Sequence, residues 1–332
     1  MRDVAKAAGV SQGTVSRVLS KAYTTIPISE DTYKRVMEAV EQLGYYPNQA
    51  ARTLRTQRTH LIAIMIADIS NPFYHSLVRT VQDIVRVYDY DVMIANTDHN
   101  YEDEKRFCAA VMRRAVDGVI MVPFHLTDHE IDQVIKRTRT SVAVLGNHTD
   151  HPLVDSVYGD DQKATYDAIR WLIQDKHHQR IGFLGVPDNF PPGLRRKQAY
   201  LDALHHHGLA VNPDYMVEGE FTAESGYNAM QTLLNLPTPP SAIFACNDRI
   251  AMGAIAAAQD LGKRIPQDIA VIGFDDIPEA ILIRPHLTTI AQHPATFGTQ
   301  LAEALLDRLE RGYNGERRVF RMDCTLVERD ST

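Results

Sequence analysis

The chain has 332 residues, 44% of them hydrophobic, enough for two or three domains with buried cores. Its net charge of −7 hides an asymmetry: residues 1–59 carry nine Lys/Arg against five Asp/Glu, a balance of +4, and the remainder stands at −11. A small basic head on an acidic body points to the head as the part that meets a polyanion. No apolar run approaches the roughly 18–20 residues needed to span a bilayer, and the start of the chain lacks a signal-peptide layout. A cytoplasmic protein without membrane contact is therefore expected. Cys108, Cys246 and Cys324 show no CxxC spacing, so neither a zinc site nor a disulfide framework is expected.

Residues 1–46 read as helices only, with Val4, Ala5, Ala8, Val15, Val18, Leu19, Val36, Val40 and Leu43 at three- and four-residue spacings. Gly9 supplies a turn after a short first helix, and Ser11 is a plausible N-cap for a second helix over Gln12–Ser20. Two short helices joined by such a turn form a helix-turn-helix, whose second helix enters the major groove. Val15, Val18 and Leu19 point one way; Gln12, Gly13, Ser16 and Arg17 point the other. Gln12 suits adenine and Arg17 suits guanine, while Ser11, Thr14 and Ser16 suit phosphate. A plain surface helix with a polar face is the alternative on this stretch alone.

Residues 47–59 read as a hinge helix and linker, opened by Pro47 and by Asn48 as N-cap. Leu54 lies among the cations Arg52, Arg55 and Arg58, as a wedge that unstacks a base step in the minor groove would. A linker helix that packs Leu54 on the body is the alternative.

From His60 onward, short β-rich runs such as LIAIMIADI, VDGVIMVPF, SAIFACND and IAVIGFDD alternate with amphipathic helical stretches. Near-continuous Ile/Val/Ala runs indicate parallel strands buried on both faces, joined through right-handed βαβ units. The run is long for one open sheet. Two α/β lobes are expected within 60–332: lobe one over about 60–157 and 291–317, lobe two over about 158–288 and 319–330. LTTIAQH and the following helix would return the chain to lobe one, and VFRMDCTLVERD would close lobe two. Ligands in such sheets bind beyond the carboxyl ends of the strands, here in the cleft between lobes. The residues just after strands are Asp68, Asn71, Phe73 and Tyr74, then Asn96 and Asp98. In lobe two, Arg196 opens a helix, Asn247-Asp248 follow AIFAC and Asp275-Asp276 follow VIGF. Asp248 is expected to cap the helix Arg249–Leu261, and Asp276 to hold the DDIPEA turn. The HHH run at His205–His207 is expected to be a solvated helix end rather than a metal site.

DVAKAAGVSQGTVSRVLS, VMEAVEQLGYYPNQAARTLRT, IMIADISNPFY, VDGVIMV, SAIFACNDRIAMGA, IAVIGFDDIP and LTTIAQ, in this order, resemble the lactose-repressor/galactose-repressor family of bacterial transcription regulators over nearly the whole chain. The resemblance implies an α/β, periplasmic-binding-protein-like body behind an all-α head. It also implies a homodimer reading pseudo-palindromic operator DNA and a small-molecule effector, a sugar or related polyol, in the cleft. Gln12, Gly13 and Arg17 align with base-reading residues; Ala51 and Leu54 align with the hinge at the central minor groove. Arg196, Asn247 and Asp275 fall on effector hydrogen-bonding positions, Phe73 and Tyr74 on the effector wall.

Three departures from the family pattern are visible. The Thr that usually caps the first helix, two residues before the position of Arg2, is missing. Gly13 leaves one reading position without a side chain. The loop KAYTTIPISED is about three residues longer than usual. Apart from these three, Gly146-Asn147 after the fourth strand stands where some sugar-responsive relatives have aspartate and others glycine, which leaves the ligand chemistry open. The chain stops soon after its last strand with no heptad tail, so a dimer is expected rather than a tail-linked tetramer. An extracytoplasmic solute-binding protein is disfavoured by the head. An enzyme is disfavoured by the lack of GxSxG, GxxxxGK[ST], HExxH or strand–GxGxxG–helix patterns. No cofactor and no metal are expected.

Overall fold

Residues 1–20, 28–45 and 58–332 are described by a computed structural model, which divides into two units, Met1–Thr59 and His60–Thr332. In the first, α1 (Arg2–Ala8), α2 (Gln12–Ser20) and α3 (Glu30–Gln42) enclose one small core of Val4, Ala5, Ala8, Val15, Val18, Val36 and Ala39. Gly9 ends α1 at φ 65°, a left-handed conformation that costs glycine nothing. Met1 stands at the N-cap of α1 without a side-chain cap bond. The Ser11 hydroxyl accepts from the Thr14 amide at 3.0 Å and caps α2. Leu43, expected in the apolar stripe, is instead the C-cap of α3 and 50% exposed, because the helical repeat stops one residue before it.

The second unit holds two six-stranded sheets. The first contains β1 (Leu61–Ile66), β2 (Asp91–Asn96), β3 (Gly118–Met121), β4 (Ser141–Leu145), β5 (Val154–Gly159) and β11 (Val319–Met322), in the order β11-β5-β4-β3-β1-β2, all parallel. The second contains β6 (Ile181–Gly185), β7 (Met216–Glu218), β8 (Ala242–Ala245), β9 (Ala270–Asp275), β10 (Thr288–Ala291) and β12 (Thr325–Val327), in the order β12-β10-β9-β8-β6-β7. Only the β10–β12 pair is antiparallel. The aliphatic runs are buried as their composition requires: five of the six residues of β1 are inaccessible, because helices cover both faces. The edge strand β2 is the exception, with Ile94 44% exposed.

The helices of this unit are α4 (Pro72–Val85), α5 (Tyr101–Arg114), α6 (Asp128–Thr138), α7 (Asp161–Gln174), α8 (Pro191–His206), α9 (Ala223–Leu234), α10 (Asp248–Asp260) and α11 (Pro294–Leu309). Most start on a side-chain cap immediately after a strand or loop: Asn71 for α4, Asn100 for α5, Thr127 for α6, Asp160 for α7, Thr222 for α9 and Asn247 for α10. His205 and His206 end α8 exposed to solvent.

Two expectations about lobe membership are corrected. LTTIAQ does not return to the first lobe: Thr288–Ala291 lies beside β9 in the second sheet, and only the helix after it packs on the first. Val319–Met322, expected in lobe two, is an edge strand of the first sheet beside β5. The reason is electrostatic. Asp155, in the middle of β5 and fully buried, receives bidentate bonds from Arg308 on α11, at 2.8 Å each. It also takes the backbone amide and guanidinium of Arg318, at 2.9 and 2.8 Å. A buried carboxylate needs such partners, and Arg318 brings β11 with it. The chain thus crosses between lobes three times, after β5, β10 and β11.

Candidate functional site

On α2, Ser11, Gln12 and Gly13 are exposed and Thr14, Ser16 and Arg17 half-buried, while Val15 and Val18 face the core. Part of this face is internally bonded. Ser11 and Thr14 hydroxyls lie 3.0 Å apart, and the Arg17 guanidinium donates to Thr14 Oγ1 at 3.5 Å. Arg17 is thereby held along the helix surface. A Cβ added at Gly13 would meet only Ser11 Oγ, at 3.5 Å, so the gap there belongs to the outer face and not to packing. Asn48, Ala51, Arg52, Leu54 and Arg55 lie outside the described residues, as does most of the long loop before α3.

The body carries a cleft between its two sheets, about 760 Å³ including the part open to solvent, within the range of small-molecule sites. Asn71, Phe73, Tyr74, Arg196, Asn247 and Asp275 all line it. Their placement follows from the strand–cap–helix joints. Asn71 Oδ1 caps α4 by accepting from the Phe73 amide at 3.0 Å, which turns Phe73 and Tyr74 inward with rings in edge contact at 5.1 Å. Asn247 Oδ1 caps α10 by accepting from the Ile250 amide at 2.8 Å.

That last bond corrects the expectation for Asp248, which is not the cap. Its carboxylate is fully buried, accepting from the Ile277 amide at 2.8 Å and the Thr289 hydroxyl at 2.5 Å, and burial pushes its pKa well up. It ties the loop after β9 to β10. Asp276 is held by Arg329 at 2.6 Å.

Asp68 is not among the lining residues. It pairs with Arg249 across the cleft at 2.7 Å, and Ser70 accepts from the same guanidinium nitrogen at 3.0 Å. Asp68 thus joins the lobes rather than facing the cavity. Asn96 and Asp98 support the same loop: Asn96 Oδ1 accepts from the Ile69 amide at 2.7 Å, and Asn96 donates to Asp98 at 2.6 Å.

The centre of the polar wall is Arg196, 5% exposed. It donates to the Cys246 carbonyl, its guanidinium carbon sits 3.6 Å from the centroid of the Phe274 ring, and its Nε is buried without a hydrogen bond. Asp275 is 6% exposed and accepts from Gln292 at 2.6 Å. Burial raises its pKa to about 6, against the pull of Arg196 and of the Gln292 and Asn71 side chains. Its φ of 118° is a conformation that L-residues rarely hold, and such strain concentrates at functional sites.

Several lining residues carry no signal in the sequence. Asp161, the first residue of α7, accepts a two-bond fork from Arg195, at 2.8 Å each, and lies 3.7 Å from Arg196 Nε. His99 stacks on Phe221 from the opposite lobe, centroids 5.2 Å apart at 25°, with Phe124 and Phe190 edge-on around it. Phe124 is placed by Glu104, a fully buried carboxylate on α5 that accepts from the amides of Phe124, His125 and Leu126 at 2.8–3.1 Å. Gly146, at φ 145°, leaves room for His148, since a Cβ there would come within 3.0 Å of the imidazole. The position that bears aspartate in some relatives therefore presents a histidine beside it. Asn71, Phe73, Tyr74, Arg196, Asn247 and Asp275 are expected at the cleft from their positions at strand ends and helix starts and from the family resemblance; Asp161, His99, Phe124, His148 and Phe221 depend on which strands become neighbours.

A helix-turn-helix unit joined in one chain to a two-lobed ligand-cleft unit defines a ligand-responsive DNA-binding regulator. The comparisons agree. Residues 1–48 match the pattern described as bacterial regulatory proteins, lacI family, and residues 172–332 that of a periplasmic binding protein-like domain. The chain is 34% identical over 333 residues to the HTH-type transcriptional regulator RegA of Clostridium saccharobutylicum, covering 100% of this chain and 98% of that protein. It is 33% identical to the HTH-type transcriptional repressor CytR of Escherichia coli strain K12, covering 100% and 96%. Among solved structures it is similar to the lac repressor dimer bound to operator and the anti-inducer ONPF (25% identity, TM-score 0.83, 99% and 98% covered) and to the CelR–cellobiose complex (28%, 0.74, 99% and 98%). The chain belongs to the lacI family of bacterial regulatory proteins and is a transcriptional regulator. Among the described residues no helix is long and apolar enough to cross a membrane, and no group of side chains is arranged to hold a metal ion.

Proposed function

We propose that the chain is a cytoplasmic repressor that binds a pseudo-palindromic operator as a homodimer, and that a carbohydrate or related polyol in the cleft changes its operator affinity. The cleft carries this reading: Asn71, Arg196, Asn247 and Asp275 converge from both lobes on one cavity beside the Phe73–Tyr74 wall. Amide, carboxylate and guanidinium groups around aromatic rings suit a ring bearing several hydroxyls. Relatives support it: one solved structure of the family holds ribose, another cellobiose, another operator DNA. In this reading residues 1–46 are the DNA-binding domain, with Gln12 and Arg17 on base edges and Ser11, Thr14 and Ser16 on phosphates. Residues 47–59 are a hinge, with Asn48 as its cap, Ala51 and Leu54 in the minor groove, and Arg52 and Arg55 on the backbone. Residues 60–332 bind effector and dimerise. Ligand closes the lobes about the three crossovers and alters the spacing of the two heads; a coupling of about 1–3 kcal/mol suffices.

The test is selection of random DNA by the full chain, followed by gel shifts with a panel of neutral sugars and polyols. The reading expects one palindromic site and at least one compound that shifts its affinity. Enrichment of single, unpaired half-sites would remove the homodimer, and a panel without effect would remove the carbohydrate. Leu54→Ala should reduce operator bending; unchanged bending would remove the wedge.

A further inference from the structure

The cleft holds two arginines and two carboxylates, and the pairing between them is close to complete. Arg195 is locked to Asp161 through both nitrogens of its fork at 2.8 Å, with Asp161 3% exposed. Arg196 Nε lies 3.7 Å from Asp161, its charge acts on the buried Asp275, which lines the same cavity, and one of its ends is already bonded to the Cys246 carbonyl. The other ionisable rings on the wall, His99 and His148, are shifted down from the ordinary histidine range by burial, which favours their neutral forms. Among the described residues, each arginine lining the cleft has Asp161 beside it.

From this we infer that Asp161 is a specificity determinant that reserves the cleft for uncharged ligands and excludes phosphate esters and other anions. The inference rests on the effector reading above and narrows its ligand class. A phosphate brought to Arg195 or Arg196 must displace the Asp161 carboxylate from its fork or sit against it. It also shares the cavity with the Asp275 carboxyl. Like-charge repulsion of this kind discriminates against the wrong ligand. A neutral polyol meets no such conflict: Asp275 accepts from its hydroxyls, and Arg196 Nε, which makes no hydrogen bond within the protein, donates to one.

The experiment uses the full chain and matched pairs: ribose with ribose 5-phosphate, glucose with glucose 6-phosphate, fructose with fructose 6-phosphate, and inorganic phosphate alone. Binding is read by thermal shift and titration calorimetry on wild type, Asp161→Asn and Asp161→Glu. On wild type, each phosphate ester is expected to bind about 100-fold or more weakly than any neutral partner that binds, and inorganic phosphate gives no shift. Asp161→Asn frees the fork of Arg195 and should gain affinity for inorganic phosphate and the esters by about tenfold or more. Asp161→Glu keeps the charge and should not. A wild-type chain that binds esters as tightly as their neutral partners overturns the inference, and this arm needs no variant to fold. So does a folded Asp161→Asn chain, verified by circular dichroism, that gains no anion binding. If no neutral sugar binds at all but phosphate is refused by wild type and taken by Asp161→Asn, the carbohydrate reading fails while the charge rule stands.

Discussion

The face of α2 proposed to read bases and the cleft proposed to hold an effector are built in different ways. The first presents Gln12, Gly13 and Arg17 within one short helix, on a face whose reverse side is a core of Val15 and Val18. The second collects residues as distant in sequence as Asn71 and Gln292 and holds Asn71, Asn247, Arg195 and Gln292 through caps, a fork and a buried carboxylate. Change on the first surface should therefore stay local in its effect, while change in the second should spread into stability and ligand response together.

Four substitutions test that contrast, the largest effect first. Arg196→Ala removes a buried guanidinium lodged among Asp161, Asp275 and the Phe274 ring. Breaking such a buried arrangement should cost the body about 3–5 kcal/mol in urea unfolding and abolish its ligand response. Ligand-free DNA binding should persist in gel shifts; loss of both functions at unchanged stability would contradict the coupling proposed for the cleft.

Asp275 makes a pH-dependent claim. Its folded pKa is raised to about 6 by burial, so the folded state holds this proton more tightly than the unfolded chain. Its contribution to stability is full below the unfolded carboxylate pKa near 3.9 and is lost as pH rises through 6, on the order of 3 kcal/mol across that window. Comparing wild type with Asp275→Asn between pH 4 and pH 8 isolates it from Asp248, which burial shifts in the same direction. The wild-type slope should flatten in the variant, and an identical slope in both chains would assign the pH dependence elsewhere.

Arg17→Ala should weaken operator binding by roughly 1–3 kcal/mol and relax preference at one base pair, with no change in the melting of the body. An equal loss on every DNA sequence would make Arg17 a phosphate contact. The smallest effect belongs to Gly13→Ala. A single ordinary contact at its Cβ position, Ser11 Oγ at 3.5 Å, and a helical backbone predict a gain of about 0.5–1 kcal/mol in stability of the head. A loss of stability on thermal unfolding of the full chain would mean that Gly13 is needed for packing.

Much of this molecule is readable without coordinates, and the readable part is local. Helical spacing at Val4, Ala5, Ala8, Val15 and Val18, the Gly9 turn and the Ser11 cap define the head, because a helix-turn-helix is built from contacts between near neighbours in sequence. Continuous aliphatic runs identify parallel strands buried on both faces, and Asn71-Pro72 marks the start of α4. Asn247-Asp248 shows where such signals stop. Both residue types cap helices, and only the geometry assigns the cap to Asn247 and the buried tie between β9 and β10 to Asp248.

Which sheet receives β10 and β11, whether Asp68 faces a ligand or Arg249, and which carboxylate neutralises Arg195 were decided by tertiary structure alone. The physical reason is common to all three. Periodicity and capping act over a few residues and are written in the order of the chain. The pairing of buried charges depends on distances closed only after the sheets form, and Asp155, Asp161 and Asp275 find their partners across the fold.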